Sequence, residues 1–417
     1  MQLTCFPAAV CGKTVLPPSK SHAVRLIAAG LMSASPLKII SLPRCDDVAA
    51  ALSCAEAMGA QLRDDVLFPP ASFPEKSALN CRDSGCAMRF FTAIAAFAGG
   101  SHRIYGSRTL MSRPTDALLR ALTDAGAKLS FDGNALIADG TVSAGRIEVD
   151  CSLSSQYLSA LLMAAPLARK PLEIVAKNTV SRDYAEMTVS VMKTFGVRIE
   201  TDGDVYRVPA GGYVSPGSAR VDPDASAAAV LAAAAAIAGE VSLTGAVFSL
   251  PQADARIFGM LKAAGAYVTE DGGTLTVKKN GLYEIEVDCD LTPDLAPVAA
   301  VLGAFARKGA HIFNAARLSG KESDRVKAIV EMINSLGGRA EVRHGCIEVA
   351  GTGLKGGKVL SFGDHRIAMA AAVAAVGCAH GVTLDDADCV NKSWPSFWED
   401  YAAIGGKFRR GRAEKRV

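Results

Sequence analysis

At six places, about 70 residues apart, a short polar loop runs into a helix-length stretch of small and branched apolar residues. The loops are Ser19-Lys20-Ser21 with Arg25, Asp83-Ser84-Gly85 through Arg89, Ser154-Ser155-Gln156, Asp222-Pro223-Asp224, Pro293-Asp294, and Asp364-His365-Arg366. Ser19 or Ser21 is a natural N-cap, because a hydroxyl can accept one of the free N–H groups of a first helical turn. The stretches that follow, 225–239 above all, have no polar face and should be buried on all sides. Six such helices cannot solvate themselves, so sheets and further helices must cover them.

A second piece alternates with the first. Ser112-Arg113-Pro114, Ser181-Arg182-Asp183, Gln252 to Arg256 and Lys321 to Arg325 each precede an amphipathic run that stops at Gly126, Gly196, Gly265 or Gly337. A glycine there suits the left-handed residue that closes a helix. A strand pair follows each, as in 128–137 around Asp132-Gly133-Asn134. Each unit therefore reads strand, apolar helix, strand, amphipathic helix, then two strands. The fold class expected is α/β (α+β) with buried helices. Six units exceed one domain, and three plus three gives two similar lobes. The Gly- and Pro-containing segment 211–223 is the expected linker.

Half of the 417 residues are apolar and only 6% are aromatic, which leaves little surface for stacking bases. A net charge of +3 is too mild for a nucleic-acid footprint. Eleven cysteines lie singly, with no Cys-x-x-Cys pair, as suits a reducing cytosol and buried thiols. The N-terminus carries no secretory pattern and no stretch reaches a bilayer span, so a cytoplasmic protein that binds neither membrane nor nucleic acid is expected. The basic end, 405–417, reads as a solvated tail. Gly351-Thr352-Gly353-Leu354-Lys355-Gly356 matches a dinucleotide fingerprint in letters only, because a strand and not a helix should follow it. The six histidines show no metal-ligand spacing.

Polar chemistry concentrates at the helix starts. Lys20, Arg25, Arg89, Arg113, Lys321, Arg325, Arg366 and Lys392 supply cations where free N–H groups already favour an anion. Several cations for one small ligand imply several negative charges on it. Carboxylates among them, Glu322 and Asp294, could move protons or could be ordinary ion-pair partners, and Asp324 could be a helix cap. Cys86, at a helix start, reads as a packed thiol.

Taken together, the chain resembles the EPSP synthase (3-phosphoshikimate 1-carboxyvinyltransferase) branch of the enolpyruvyl transferases. The pieces that carry the resemblance are Ser19-Lys20-Ser21 with Arg25, Ser154-Ser155-Gln156, Pro293-Asp294, Lys321-Glu322-Ser323-Asp324-Arg325, Asp364-His365-Arg366 and Lys392, spread over nearly the whole length. The resemblance implies two lobes of three βαβαββ repeats each, with buried helices (an inside-out barrel) and an active site in the cleft between them. It implies that the first lobe is discontinuous, 1–17 plus 222–417, and that 18–221 is the second. The implied reaction moves the enolpyruvyl group of phosphoenolpyruvate to the 5-hydroxyl of shikimate 3-phosphate, releasing phosphate, in chorismate and aromatic amino acid biosynthesis. The implied catalytic residues are Asp294, Glu322 and Lys20. Shikimate 3-phosphate would meet Lys20, Ser21, Arg25, Ser154, Ser155, Gln156, Ser181, Asp294, Arg317 and Lys321. Phosphoenolpyruvate would meet Lys20, Gly85, Arg113, Gln156, Arg325, Arg366 and Lys392. A monomer without cofactor or metal is expected.

The chain departs from the common pattern at Asp83-Ser84-Gly85-Cys86, at Arg317, where asparagine is frequent, and at Asp183, where proline is common. The related UDP-N-acetylglucosamine enolpyruvyl transferases would carry a reactive cysteine before Arg113, and 107–112 has none. An RNA 3′-phosphate cyclase-like protein, built from similar half-repeats, would want a nucleotide site and a broad basic face.

Overall fold

All six apolar stretches are helices in the computed structural model, which describes residues 1–411. They are α1 (Lys20–Leu31), α2 (Gly85–Ala98), α3 (Gln156–Ala164), α4 (Ala225–Ala238), α5 (Ala296–Phe305) and α6 (His365–Gly377). Side-chain caps start four of them: Ser19, Ser84, Asp224 and Asp364 accept the backbone N–H of His22, Ala87, Ala227 and Arg366. Ser19, not Ser21, is thus the cap of α1. α4 is buried along nearly its whole length, and its alanines let α5 and α6 pack close against it.

The chain forms two units: Pro18–Asp222 with Ser249–Pro251, and Met1–Pro17 with Pro223–Phe248 and everything described from Gln252 onward. Each holds three four-stranded sheets, and in every sheet one pair is parallel and the others are antiparallel. In the first unit named, Lys76–Asn80 leads through α2 to Ser101–Tyr105, its parallel neighbour, and Arg146–Asp150 leads through α3 to Leu172–Lys177. A helical crossover is what a parallel pair requires. Two sheets instead take the parallel partner from far along the chain: Ser218–Arg220 joins Leu37–Ile40, and Val10–Val15 joins Gly239–Thr244. The last approach is so close that a side chain at Gly239 would overlap the Val10 carbonyl.

Second strands commonly end in a left-handed residue. Ser41, Asn178, Gly245 and Asn314 follow Leu37–Ile40, Leu172–Lys177, Gly239–Thr244 and Ala310–Phe313 with φ between 53° and 67°. That turn throws the chain out of the sheet and into the loops that carry Ser181 and Lys321. Amphipathic helices Asp116–Asp124, Arg182–Thr194, Arg256–Ala264 and Arg325–Ser335 each bury one face. They close at Gly126, Gly196, Gly265 and Gly337, all at positive φ. The strand pair Lys128–Asp132 and Ala135–Asp139 forms around Gly133 as expected.

Four expectations need correction. Helices Asp46–Ala57 and Phe397–Ala403 complete the first and last repeats and escaped the sequence reading. The expected linker is not all loop, because Ser218–Arg220 within it is a strand. The unit boundary falls after Asp222, which donates its amide to His22 Nδ1 and accepts from Ser249 and the Leu250 amide, so 249–251 join the same unit. Finally, the basic end is not all solvated tail. Lys407–Arg410 pairs with Leu3–Phe6 as an edge strand, and 412–417 lie outside the described residues. Among the described residues no helix is long and apolar enough to cross a membrane. None of the eleven cysteines, all of which lie among the described residues, is in a disulfide. The strand Gly357–Val359 follows the Gly351–Gly356 run, as the rejection of a nucleotide loop requires.

Candidate active site

Within the unit built on 18–222, the starts of α1, α2 and α3 carry the expected residues. Lys20, the first residue of α1, pairs with Asp47 at 2.6 Å. Asp47 is buried on the helix the sequence reading missed, and the Met58-Gly59-Ala60 that ends this helix matches Ala125-Gly126-Ala127 closely enough to have revealed it. Arg25, one turn into α1, is fully buried. Its guanidinium donates to Thr188 Oγ1 (2.8 Å), the Ser21 carbonyl (2.8 Å), the Tyr184 carbonyl (3.0 Å) and Ser159 Oγ (3.3 Å), and it lies over the Phe90 ring. Arg25 thereby ties α1 to α3 and to the helix that follows Ser181. Ser181 itself is buried and left-handed at φ 47°, a conformation that costs a non-glycine residue free energy.

Gly85 opens α2. A Cβ there would lie 2.7 Å from Arg89 Nη1 and 2.8 Å from Arg113 Nη1, so two guanidinium groups close over a position only glycine leaves open. Arg89 also donates to the Gln156 side-chain carbonyl at 2.8 Å, which fixes Gln156 at the start of α3 beside Ser154 and Ser155. Ser154 Oγ in turn accepts the Gln156 amide. Cys86 is a packed thiol: burial pushes it up, against the pull of Arg25, Lys20 and Arg89. The sequence marks Arg89 as a cation at a helix start without showing its partner, although its spacing of four from Gly85 puts both on one face.

Within the other unit, Arg325 is the hub. It is fully buried and bonded to three carboxylates: Nε to Asp364 (2.7 Å), Nη1 to Asp294 (2.7 Å) and Nη2 to Glu322 (2.6 Å). Burial opposes its charge, but Asp364, Glu322 and Asp294 outweigh burial and keep it protonated. Asp364 also accepts from Ser323 and from the Arg366 amide, so the cap of α6 doubles as the anchor of Arg325. Asp324 caps the helix Arg325–Ser335.

Arg366 Nη2 donates to the second oxygen of Asp294 (2.9 Å) and to Ser226 (3.2 Å). Asp294 therefore has a guanidinium on each oxygen, with Lys321 Nζ 4.0 Å away. Burial raises its proton affinity, yet Arg366, Lys321 and Arg325 together hold it well below the usual carboxylate range. Burial also lowers Lys321 to about 8, with Asp294 opposing and Arg317 and Arg325 adding to the fall. Arg317 is buried against the Cys289 carbonyl at 3.0 Å. Lys392 ends a 3-10 turn, Asp388–Lys392, that packs against α6.

Each unit thus gathers cations at the starts of buried helices and restrains them with carboxylates and carbonyls. Guanidinium groups held this way have the fork geometry that a phosphate or carboxylate also accepts from. A family model for EPSP synthase (3-phosphoshikimate 1-carboxyvinyltransferase) matches residues 6–401. A 3-phosphoshikimate 1-carboxyvinyltransferase of Methanocorpusculum labreanum is 35% identical over 98% of this chain and 100% of its own length. One from Clostridium beijerinckii is 30% identical over 97% and 98%. The solved EPSP synthase of Acinetobacter baumannii has the same fold, with a TM-score of 0.79 at 23% identity over 98% of this chain and 100% of that one. The chain belongs to the EPSP synthase family.

Proposed function

We propose that this chain transfers the enolpyruvyl group of phosphoenolpyruvate to the 5-hydroxyl of shikimate 3-phosphate, releasing phosphate. Family membership over nearly the full length supports the reaction class. The observation that carries the assignment of roles is the Asp294–Arg325–Glu322 cluster, with Arg366 on the far oxygen of Asp294.

In this reading Asp294 accepts the hydroxyl proton as the oxygen attacks C2 of phosphoenolpyruvate, and Glu322 delivers a proton to the methylene carbon. A methyl proton then leaves as phosphate departs from the tetrahedral intermediate. A carboxylate clasped by two arginines is a poor base, so something must loosen the clasp. The substrates do so themselves. Their phosphates and carboxylates compete for Arg366, Lys321 and Arg325, and each bond they capture returns basicity to Asp294. Phosphoenolpyruvate would be held by Lys20, Gly85, Arg113, Gln156, Arg325, Arg366 and Lys392. Shikimate 3-phosphate would be held by Lys20, Ser21, Arg25, Ser154, Ser155, Gln156, Ser181, Asp294, Arg317 and Lys321. Gly85 contributes by giving the Arg89 and Arg113 guanidinium groups room, and Arg25 by fixing the start of α1.

The same proposal includes three βαβαββ repeats per lobe, one cleft shared by both residue sets, a monomer, and a cytoplasmic setting. The test is direct. Purified protein with both substrates should release phosphate and form the enolpyruvyl ether. No product above background, or equal turnover with UDP-N-acetylglucosamine as acceptor, would overturn the reading.

A further inference from the structure

Behind Arg366 sits a carboxylate that the reaction above does not use. Asp254, in the 3-10 turn Ala253–Ala255, is 1% exposed. Its Oδ2 accepts a hydrogen bond from Ser226 and lies 3.7 Å from Arg366 Nη1, while Oδ1 is buried without a hydrogen-bond partner. Ser226 in turn accepts from Arg366 Nη2, the same nitrogen that bonds Asp294. One guanidinium is therefore shared between two carboxylates, Asp294 in front and Asp254 behind.

We propose that Asp254 is a positioning residue for this reaction: through Ser226 and Arg366 it sets how firmly Asp294 is held, and its bare Oδ1 is where the cluster stores a proton. The proposal rests on the reading of the reaction given above. The charges support it. Asp254, Asp294, Glu322 and Asp364 face Lys321, Arg325 and Arg366, so full ionisation leaves one negative charge in excess among these seven groups. A dry carboxylate with one unbonded oxygen is the member that gives up ionisation first. Burial pushes Asp254 up to about 6; Arg366 and Ser226 oppose this, and Asp294 and Asp224 add to it.

The ionised form draws Arg366 Nη1 toward itself and loosens the guanidinium on Asp294, which leaves Asp294 a better base. Protonation reverses this: Arg366 closes on Asp294 and on any incoming anion. Turnover should fall as pH drops through about 6. The variant Asp254→Asn keeps the shape and an acceptor for Ser226 while fixing the neutral state. At pH 7.5 its kcat should fall roughly tenfold, the effect of one pKa unit at the proton acceptor, with KM unchanged or lower. Because the substrate phosphates titrate near 6 in both proteins, the quantity to follow is the ratio of variant to wild-type kcat, which should approach 1 below pH 6.

Ser226→Ala gives a second readout, since losing that hydrogen bond should move the Asp254 titration to higher pH. Carbon-13 spectra of aspartate-labelled protein without substrates should show a carboxyl that titrates near 6 and is missing in Asp254→Asn. A variant-to-wild-type ratio that is flat with pH, or the absence of such a carboxyl, overturns the role of Asp254 while leaving the reaction intact. A wild type with no turnover sinks the reaction and this role with it.

Discussion

The replacement of Asp364 by asparagine tests whether the carboxylate clamp on Arg325 holds the structure together. Asp364 is fully buried and accepts four hydrogen bonds: Arg325 Nε at 2.7 Å, the Arg366 amide at 3.0 Å, Ser323 Oγ at 3.1 Å and Arg325 Nη2 at 3.3 Å. Asparagine can keep one acceptor for the helix cap, but its NH2 group would face the Arg325 donors. Removing one partner of a buried pair costs about 3–5 kcal/mol. Arg325 retains Asp294 and Glu322, so the lower end applies, about 3 kcal/mol. For a unit of this size that corresponds to a melting temperature lower by roughly 6–12 °C. Both tryptophans, Trp394 and Trp398, are buried in the same unit, so urea unfolding followed by their fluorescence reports that unit and not the other. A variant within about 0.5 kcal/mol of wild type, the range of an ordinary surface substitution, would refute the clamp as a stabilising element.

Gly85→Ala should push the Arg89 and Arg113 guanidinium groups aside, raising the KM for phosphoenolpyruvate on the order of tenfold while the melting temperature hardly moves, because alanine is the better helix residue. Steady-state kinetics and a thermal melt on the same preparation decide it. Lys321, lowered to about 8, should take up a proton when an anionic substrate binds above that pH. Calorimetry of shikimate 3-phosphate binding at pH 8.5 in two buffers of different ionisation heat should show net uptake that Lys321→Arg abolishes. Asp294→Asn and Glu322→Gln should each lose at least about a hundredfold in kcat, with shikimate 3-phosphate affinity changed far less. Near-normal turnover in either variant removes that residue from the mechanism.

Much of the framework was legible because it is periodic. Six apolar helices, four of them with a side-chain cap, and four glycine-terminated amphipathic ones repeat with nearly fixed spacing, and local chemistry suffices to mark where most of them begin and stop. What was not legible depends on which distant groups the fold brings to a side chain. Arg25 announces itself as a cation at a helix start, yet Ser159, Thr188 and the Tyr184 carbonyl reach it from more than 130 residues away. The sequence does not show what Asp364 holds, because its partner Arg325 lies 39 residues away. Asp254 looked like any polar residue ahead of an amphipathic helix. Only packing shows it dry, one oxygen bare, behind Arg366. The left-handed Ser181 gives no sign in sequence, since serine has no special preference for that conformation.

The edge strand Lys407–Arg410 has a further consequence for how the chain is made. Leu3–Phe6 finds its two neighbours only in Val382–Leu384 and Lys407–Arg410, and Val10–Val15 finds its own only in Gly239–Thr244. On a ribosome adding roughly 5–20 residues per second, the unit centred on 18–222 has nearly all its sequence while the first strand still waits. More than 150 further residues must be translated before Leu3–Phe6 has a sheet to enter. Leu3–Phe6 is thus synthesised before the unit centred on 18–222 and yet enters its sheet long after that unit is made. A chaperone or protease attending this nascent chain meets two unpaired strands that protrude from an otherwise finished unit.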